Sequence, residues 1–143
     1  MKRIVRPTLV QQMTAFRLVE QIFERLATGE VEVINGMTCF RDRTASKQEW
    51  CVIPDALDGW VRLWRRLVDH YRLVINLQPV ETIAFLLASD RPLTEDDVAD
   101  ARRVVAQCRA AYRSMDIYTV SVLRDAVLKT LRAEREQQEG LAA

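Results

Sequence analysis

Residues 54–76 read PDALDGWVRLWRRLVDHYRLVIN. Their apolar members, Leu57, Trp60, Val61, Trp64, Leu67, Val68, Tyr71, Val74 and Ile75, recur at steps of three and four, the spacing of one face of an α-helix. Two tryptophans stand one turn apart on that face. Aromatic area of this size must be enclosed, so the rest of the chain is expected to pack on this helix. The opposite face carries Asp58, Arg62, Arg65, Arg66, Asp69 and His70. Gly59 is a modest cost in a helix interior. Leu73 departs from the stripe and LVINL is apolar nearly all round, so either the helix end is buried there or the chain turns extended.

Before this helix the period changes twice. A short basic arm, 1–6, leads to Pro7, which suits a first helical turn. From Thr8 to Thr28 the residues Leu9, Met13, Phe16, Val19, Ile22, Phe23 and Leu26 step by three and four, and Gly29 follows as the expected residue just past a helix end. Then EVEVI, Asn35-Gly36 and MTCFR alternate with period two around a tight-turn dipeptide, the signal of a β-hairpin. A two-residue loop pairs Ile34 with Met37, Val33 with Thr38, Val31 with Phe40 and Glu30 with Arg41. After a polar connection, RTASK, the segment QEWCVI is expected as a third antiparallel strand, with Phe40 opposite Trp50 and Cys39 opposite Cys51. That register gathers Val31, Val33, Phe40, Trp50 and Val52 on one buried face. Ile34, Met37, Cys39, Cys51 and Ile53 make a back face too apolar to be simply solvated. Pro54 ends the strand.

After the central helix, Pro79 and Glu81 start a short helix, VETIAFLLAS, expected to be internal. Thr94 with Glu95, Asp96 and Asp97 opens another, whose stripe is Val98, Ala101, Val105, Cys108 and Tyr112. Ser114–Asp116 is a break, and the last helix carries Ile117, Val120, Leu123, Val127 and Leu131 before fraying at about 136–143; segments 95–114 and 117–135 could instead form one bent helix. The expected fold is α+β and predominantly helical: an N-terminal helix, a three-stranded antiparallel β-meander, a long central helix and a C-terminal helical layer. Residues 1–143 read as a single globular domain.

Composition narrows the function classes. Hydrophobic residues make up 49% of the chain, enough for a core, and the formal net charge is +1. Near-balanced charge argues against a broad nucleic-acid or membrane surface. Eighteen of the 21 basic residues are Arg, which suits interface rims but also follows from codon usage in a GC-rich bacterial genome. Cys39, Cys51 and Cys108 are too few and scattered for a disulfide framework. No apolar run reaches membrane-spanning length, and the N-terminus does not read as a signal peptide. A reducing cytoplasm is the expected setting.

No catalytic signature emerges. His70 is the only histidine, and no nucleophile or orienting partner stands at a useful spacing beside it. Cys39, Cys51, His70 and Cys108 match no metal-ligand spacing. Acids cluster at Glu95, Asp96, Asp97 and Asp100; helix-start chemistry explains the first three, and no ligands converge on them from elsewhere to make a divalent-metal site. No metal, cofactor or catalytic residue is therefore assigned, and the chain is not read as an enzyme. The expected function is a non-catalytic protein-binding module, a small adaptor, inhibitor or regulator whose partner is another protein or a second copy of itself. The residues expected at its contact surface are Ile34, Met37, Ile53, Arg62, Arg65 and Arg66. The competing reading is a nucleic-acid-binding regulator using the basic arm and the Arg62, Arg65 and Arg66 face, although Asp58 and Asp69 stand at helix-pairing distance from those arginines.

Overall fold

The structure, a computed structural model, describes residues 9–42 and 49–142, with the side chains of 16–41 and 51–140. The basic arm 1–6, Pro7 and the polar connection lie outside the described residues, as do the side chains of Leu9, Met13 and Trp50. The fold is α+β and mostly helical. In order it comprises α1 (Leu9–Thr28), β1 (Glu32–Ile34), β2 (Met37–Asp42), β3 (Glu49–Val52), α2 (Ile53–Tyr71), α3 (Gln78–Ala88), α4 (Glu95–Tyr112) and α5 (Ile117–Ala142).

Gly29 ends α1 with φ +74°, a conformation that costs a glycine nothing, and the Glu30 N–H then donates back to the Arg25 carbonyl at 3.1 Å. Asn35 (φ 52°) and Gly36 (φ 78°) both take positive φ, as a two-residue hairpin turn requires. Ile34 faces Met37 and Val33 faces Thr38, as the loop length dictates, and the sheet order is β1-β2-β3. The ladder stops at Glu32–Cys39, so the expected Val31–Phe40 and Glu30–Arg41 pairs lie beyond it. Glu30 instead meets Arg25 at 3.0 Å.

Two expectations about the sheet are corrected. First, β3 is shifted by one residue. Phe40 opposes Cys51 and Cys39 opposes Val52, so the two cysteines are not opposite one another, and Trp50 pairs with Arg41. The strand gives way to α2 at Ile53 rather than at Pro54, and Ile53, with no exposed surface, is packed into the core as the first residue of that helix. A slip of one residue reverses which side each β3 residue takes. Second, Val31, Val33, Phe40 and Val52 do not share one buried face. Phe40 is 2% exposed and Val33 69% exposed, while Val31 and Val52 are half-buried. Burial here varies along the hairpin, not across it. At the level of residues 39–40 both sides of β2 are covered: the Arg25 guanidinium of α1 lies 5.8 Å from the centre of the Phe40 ring, and the thiol of Cys39 is enclosed and feels Asp55 of α2. The turn end of the hairpin runs past this cover.

The core is built on α2. Ile53, Leu57, Trp60, Val61, Trp64 and Leu67 are buried along one stripe. Phe16 of α1 meets Trp64 edge-on at a centroid distance of 5.8 Å and Tyr112 of α4 at 5.2 Å, while Trp60 and Trp64 lie 5.6 Å apart. This aromatic cluster joins α1, α2 and α4. The helix ends at Tyr71, five residues before Asn76, because Arg72 adopts the left-handed conformation (φ 52°, ψ 48°) and the N–H of Leu73 returns to the Val68 carbonyl at 3.0 Å. Val74, counted in the stripe from its spacing, is therefore fully exposed on the connecting loop.

The C-terminal helices complete the core. Helix α3 is amphipathic rather than internal: Val80 and Ile83 are buried and Phe85 is 59% exposed, since α2, α4 and β2 pack on one side of this short helix. Helix α4 begins with a reciprocal capping box, the Asp97 N–H donating to Thr94 Oγ1 and the Thr94 N–H to Asp97 Oδ2, each at 3.1 Å. Helices α4 and α5 are separate. The carboxylate of Asp116 accepts from the N–H and hydroxyl of Thr119, and the Asp116 N–H donates to Tyr71 Oη at 3.1 Å. Helix α5 packs on α2 and stays helical through Ala142, past the expected fraying point at 136.

Candidate protein-binding surface

The six residues expected at a contact surface are distributed by the fold to three different places. Ile34 and Met37 form the pair nearest the hairpin turn, with Ile34 half-buried and Met37 42% exposed. Ile53 is fully enclosed and belongs to the core, so it is not surface at all. The cause is the early start of α2, which takes Ile53 out of the sheet as the first residue of the helix.

Arg62 and Arg65 are surface residues engaged within the protein. Arg62 Nε meets Asp58 at 3.1 Å and its Nη1 donates to Glu134 Oε1 at 2.7 Å. The Glu134 hydrogen bond, outweighing the opposing effect of burial and aided by the charge and hydrogen bond of Asp58, holds the Arg62 guanidinium even more firmly protonated than usual. Arg65 is paired with Glu81 of α3. The two arginines thus tie α2 to α5 on one flank and to α3 on the other. Arg66 is exposed and makes no ion pair among the described residues. The expected arginine face is therefore reduced to one unengaged guanidinium.

Val33 is an exposed apolar residue that the sequence reading had assigned to the buried face. It is more exposed than Met37 and stands two residues before the turn glycine's partner position, on a strand only three residues long. A short strand beside a tight turn was the available signal that its side chain would lie beyond the core. The hairpin end therefore presents Val33 and Met37 around Asn35–Gly36, with Ile34 partly covered. Other apolar side chains also reach solvent, among them Phe85 on α3, with Arg91 5.6 Å from its ring centre, and Val122 on α5.

Among the described residues, grooves flank α2 and α4. One, of about 420 Å³, runs between α2 and α3 past Asp58, Arg62, Arg65, Glu81 and Phe85. Its charges are the ion-paired ones just described. Another, of about 510 Å³, lies between α1 and α4 and is lined by Phe23, Val105, Ala106, Ala110, Arg102 and Arg113 among others. His70 is exposed, its ring edge-on to Tyr71 at 4.8 Å. Cys39, Cys51 and Cys108 form no disulfide with one another, and burial pushes the thiol of Cys108 up to about 12. Among the described residues, no group of three or more His, Cys, Asp or Glu side chains is placed to hold a metal ion. Among those residues, too, no helix is long and apolar enough to cross a membrane.

Compared with known proteins, the chain matches no family model, no curated relative and no solved structure.

Proposed function

We propose that this chain is a non-catalytic protein-binding module, a small adaptor, inhibitor or regulator that works through protein–protein contacts in a reducing, cytoplasmic setting. The observation that carries this reading is the hairpin end, where Val33 is 69% and Met37 42% exposed on the strands either side of a two-residue turn. Apolar side chains held on a short, well-defined projection cost little conformational entropy when they dock. The non-catalytic part of the reading rests on the sequence, which carries no nucleophile, acid–base or phosphate-cradling pattern. The nucleic-acid alternative needs Arg62, Arg65 and Arg66 to face a polyanion together, and two of the three are already held by carboxylates of the same chain.

The test is purification of the tagged protein from its own cell, wild type beside the Val33→Asp, Met37→Asp double variant. The expected result is a stoichiometric protein partner retained by the wild type and lost by the variant. Retention of DNA or RNA that falls steeply with added salt, and is unaffected by the hairpin substitutions, would replace this reading with the alternative.

A further inference from the structure

Helix α4 carries its charges in two blocks. Glu95, Asp96, Asp97 and Asp100 occupy its first turns, and Arg102, Arg103, Arg109 and Arg113 follow. Its buried stripe, with Val98, Ala101, Val105 and Cys108, faces inward where α1 and α3 pack on it. The opposite face presents Asp96, Ala99, Arg103, Ala106, Ala110 and Arg113, which fall within about 100° of arc at 3.6 residues per turn. All are exposed except Ala99, which is half-buried. Arg103 is engaged by Asp100 at 2.9 Å, whereas Asp96 and Arg113 make no ion pair among the described residues. The groove between α1 and α4 opens along the same side, at Ala106 and Ala110.

We propose that this face of α4 is an interface between two copies of the chain, packed antiparallel about a two-fold axis at the level of Val104 and Val105. One axis satisfies three kinds of contact at once, each made twice. Asp96 meets the partner's Arg113, Ala99 meets the partner's Ala110, and the aliphatic stem of Arg103 lies over the partner's Ala106. A symmetric dimer requires a patch that is its own complement, and an acid-then-base order along a helix becomes one when the second helix is reversed. The parallel arrangement would set Asp96 against Asp96. The reversed one also places opposite ends of the two helix dipoles side by side. Alanines at the crossing let the backbones approach to the short end of the usual interhelical range, and the Arg103 stem supplies apolar cover. This inference rests on the reading that the protein acts through protein contacts, but it uses a surface separate from the hairpin end. Either can therefore fail without the other.

Sedimentation equilibrium tests it on four variants and one mixture. The wild type is expected to dimerise as its concentration rises. Asp96→Arg alone and Arg113→Asp alone each weaken the dimer by about tenfold or more, because two symmetric pairs become repulsive. An equimolar mixture of those two variants pairs again, since each now supplies the charge that the other needs. Ala110→Phe keeps every charge and loses the dimer by blocking close approach, while Val33→Asp leaves it unchanged. A wild type that stays monomeric at the highest attainable concentration overturns the proposal. So does a dimer indifferent to Arg113→Asp and Ala110→Phe, or a mixture that does not pair, or a dimer abolished only by Val33→Asp.

Discussion

Arg62 and Glu134, 72 residues apart in sequence, are joined by a hydrogen bond of 2.7 Å from Nη1 to Oε1 that fastens α5 to the outer flank of α2. The side chains are 36% and 46% exposed, so solvent screens the pair. Arg62→Ala should cost about 1 kcal/mol, near the upper end for exposed ion pairs, because two carboxylates lose their partner together. Arg66→Ala, with no pair to lose, should stay within about 0.5 kcal/mol. Urea denaturation in low salt distinguishes the two, and the difference should shrink as salt is added.

Trp64 is 2% exposed and touches Phe16, Trp60 and Tyr112. Replacing it with Ala empties the junction of three helices, and the expected loss is about 3–5 kcal/mol. The near-ultraviolet circular dichroism should collapse with it, since the aromatic cluster is held in one arrangement by this ring.

Gly59 lies in the interior of α2, where it faces α5. A Cβ placed there would sit 3.6 Å from Leu131 Cδ1, an ordinary van der Waals contact. Gly59→Ala should therefore gain about 0.5–1 kcal/mol from helix propensity without a clash. A lower melting temperature in this variant would show that α2 and α5 are packed more tightly than that distance implies.

Stability should fall in alkali. Burial pushes Cys108 from 9.0 up to about 12 and Tyr112 from 10.0 up to about 12, the latter despite the opposing charge of Arg124. Between about pH 9 and pH 12 the unfolded chain releases these protons while the folded chain keeps them. The folded state then binds more protons, and its stability declines as pH rises through that window, being fully present below it. Urea midpoints at about pH 8 and about pH 10.5 measure the slope. Cys108→Ala should lower stability at the lower pH yet flatten the dependence.

Phe40 and Val33 test how burial is distributed along the hairpin. Phe40→Ala should cost about 3–5 kcal/mol, since the ring is 2% exposed, while Val33→Asp should change stability by no more than about 0.5 kcal/mol. Equal costs in chemical denaturation would show that the whole hairpin face is covered.

Parts of this fold were legible because they depend on local chemistry. The stripe of α2, the Gly29 stop, the Asn35–Gly36 turn and the Thr94 cap are each specified by residues within a few positions of one another. The stop of α2 was not legible, since it depends on Arg72 taking a left-handed conformation that no glycine announced. The candidate surface was legible only in part. Met37 and Arg66 are exposed as their positions suggested, but Val33 was assigned inward and Ile53 outward, and both were reversed.

By itself the sequence determined which segments are helix and which are strand, the hairpin pairing across Asn35–Gly36, and which stripe of α2 is buried. Period, capping and turn geometry act over short distances and leave few alternatives. Only the tertiary structure decided where β3 sits against β2, how far the core reaches along the hairpin, and which arginines are already engaged. Those outcomes depend on contacts between residues distant in sequence, such as Arg62 with Glu134 or Ile53 with the core. Period along a strand reports which side a residue takes, but not whether anything lies there to cover it.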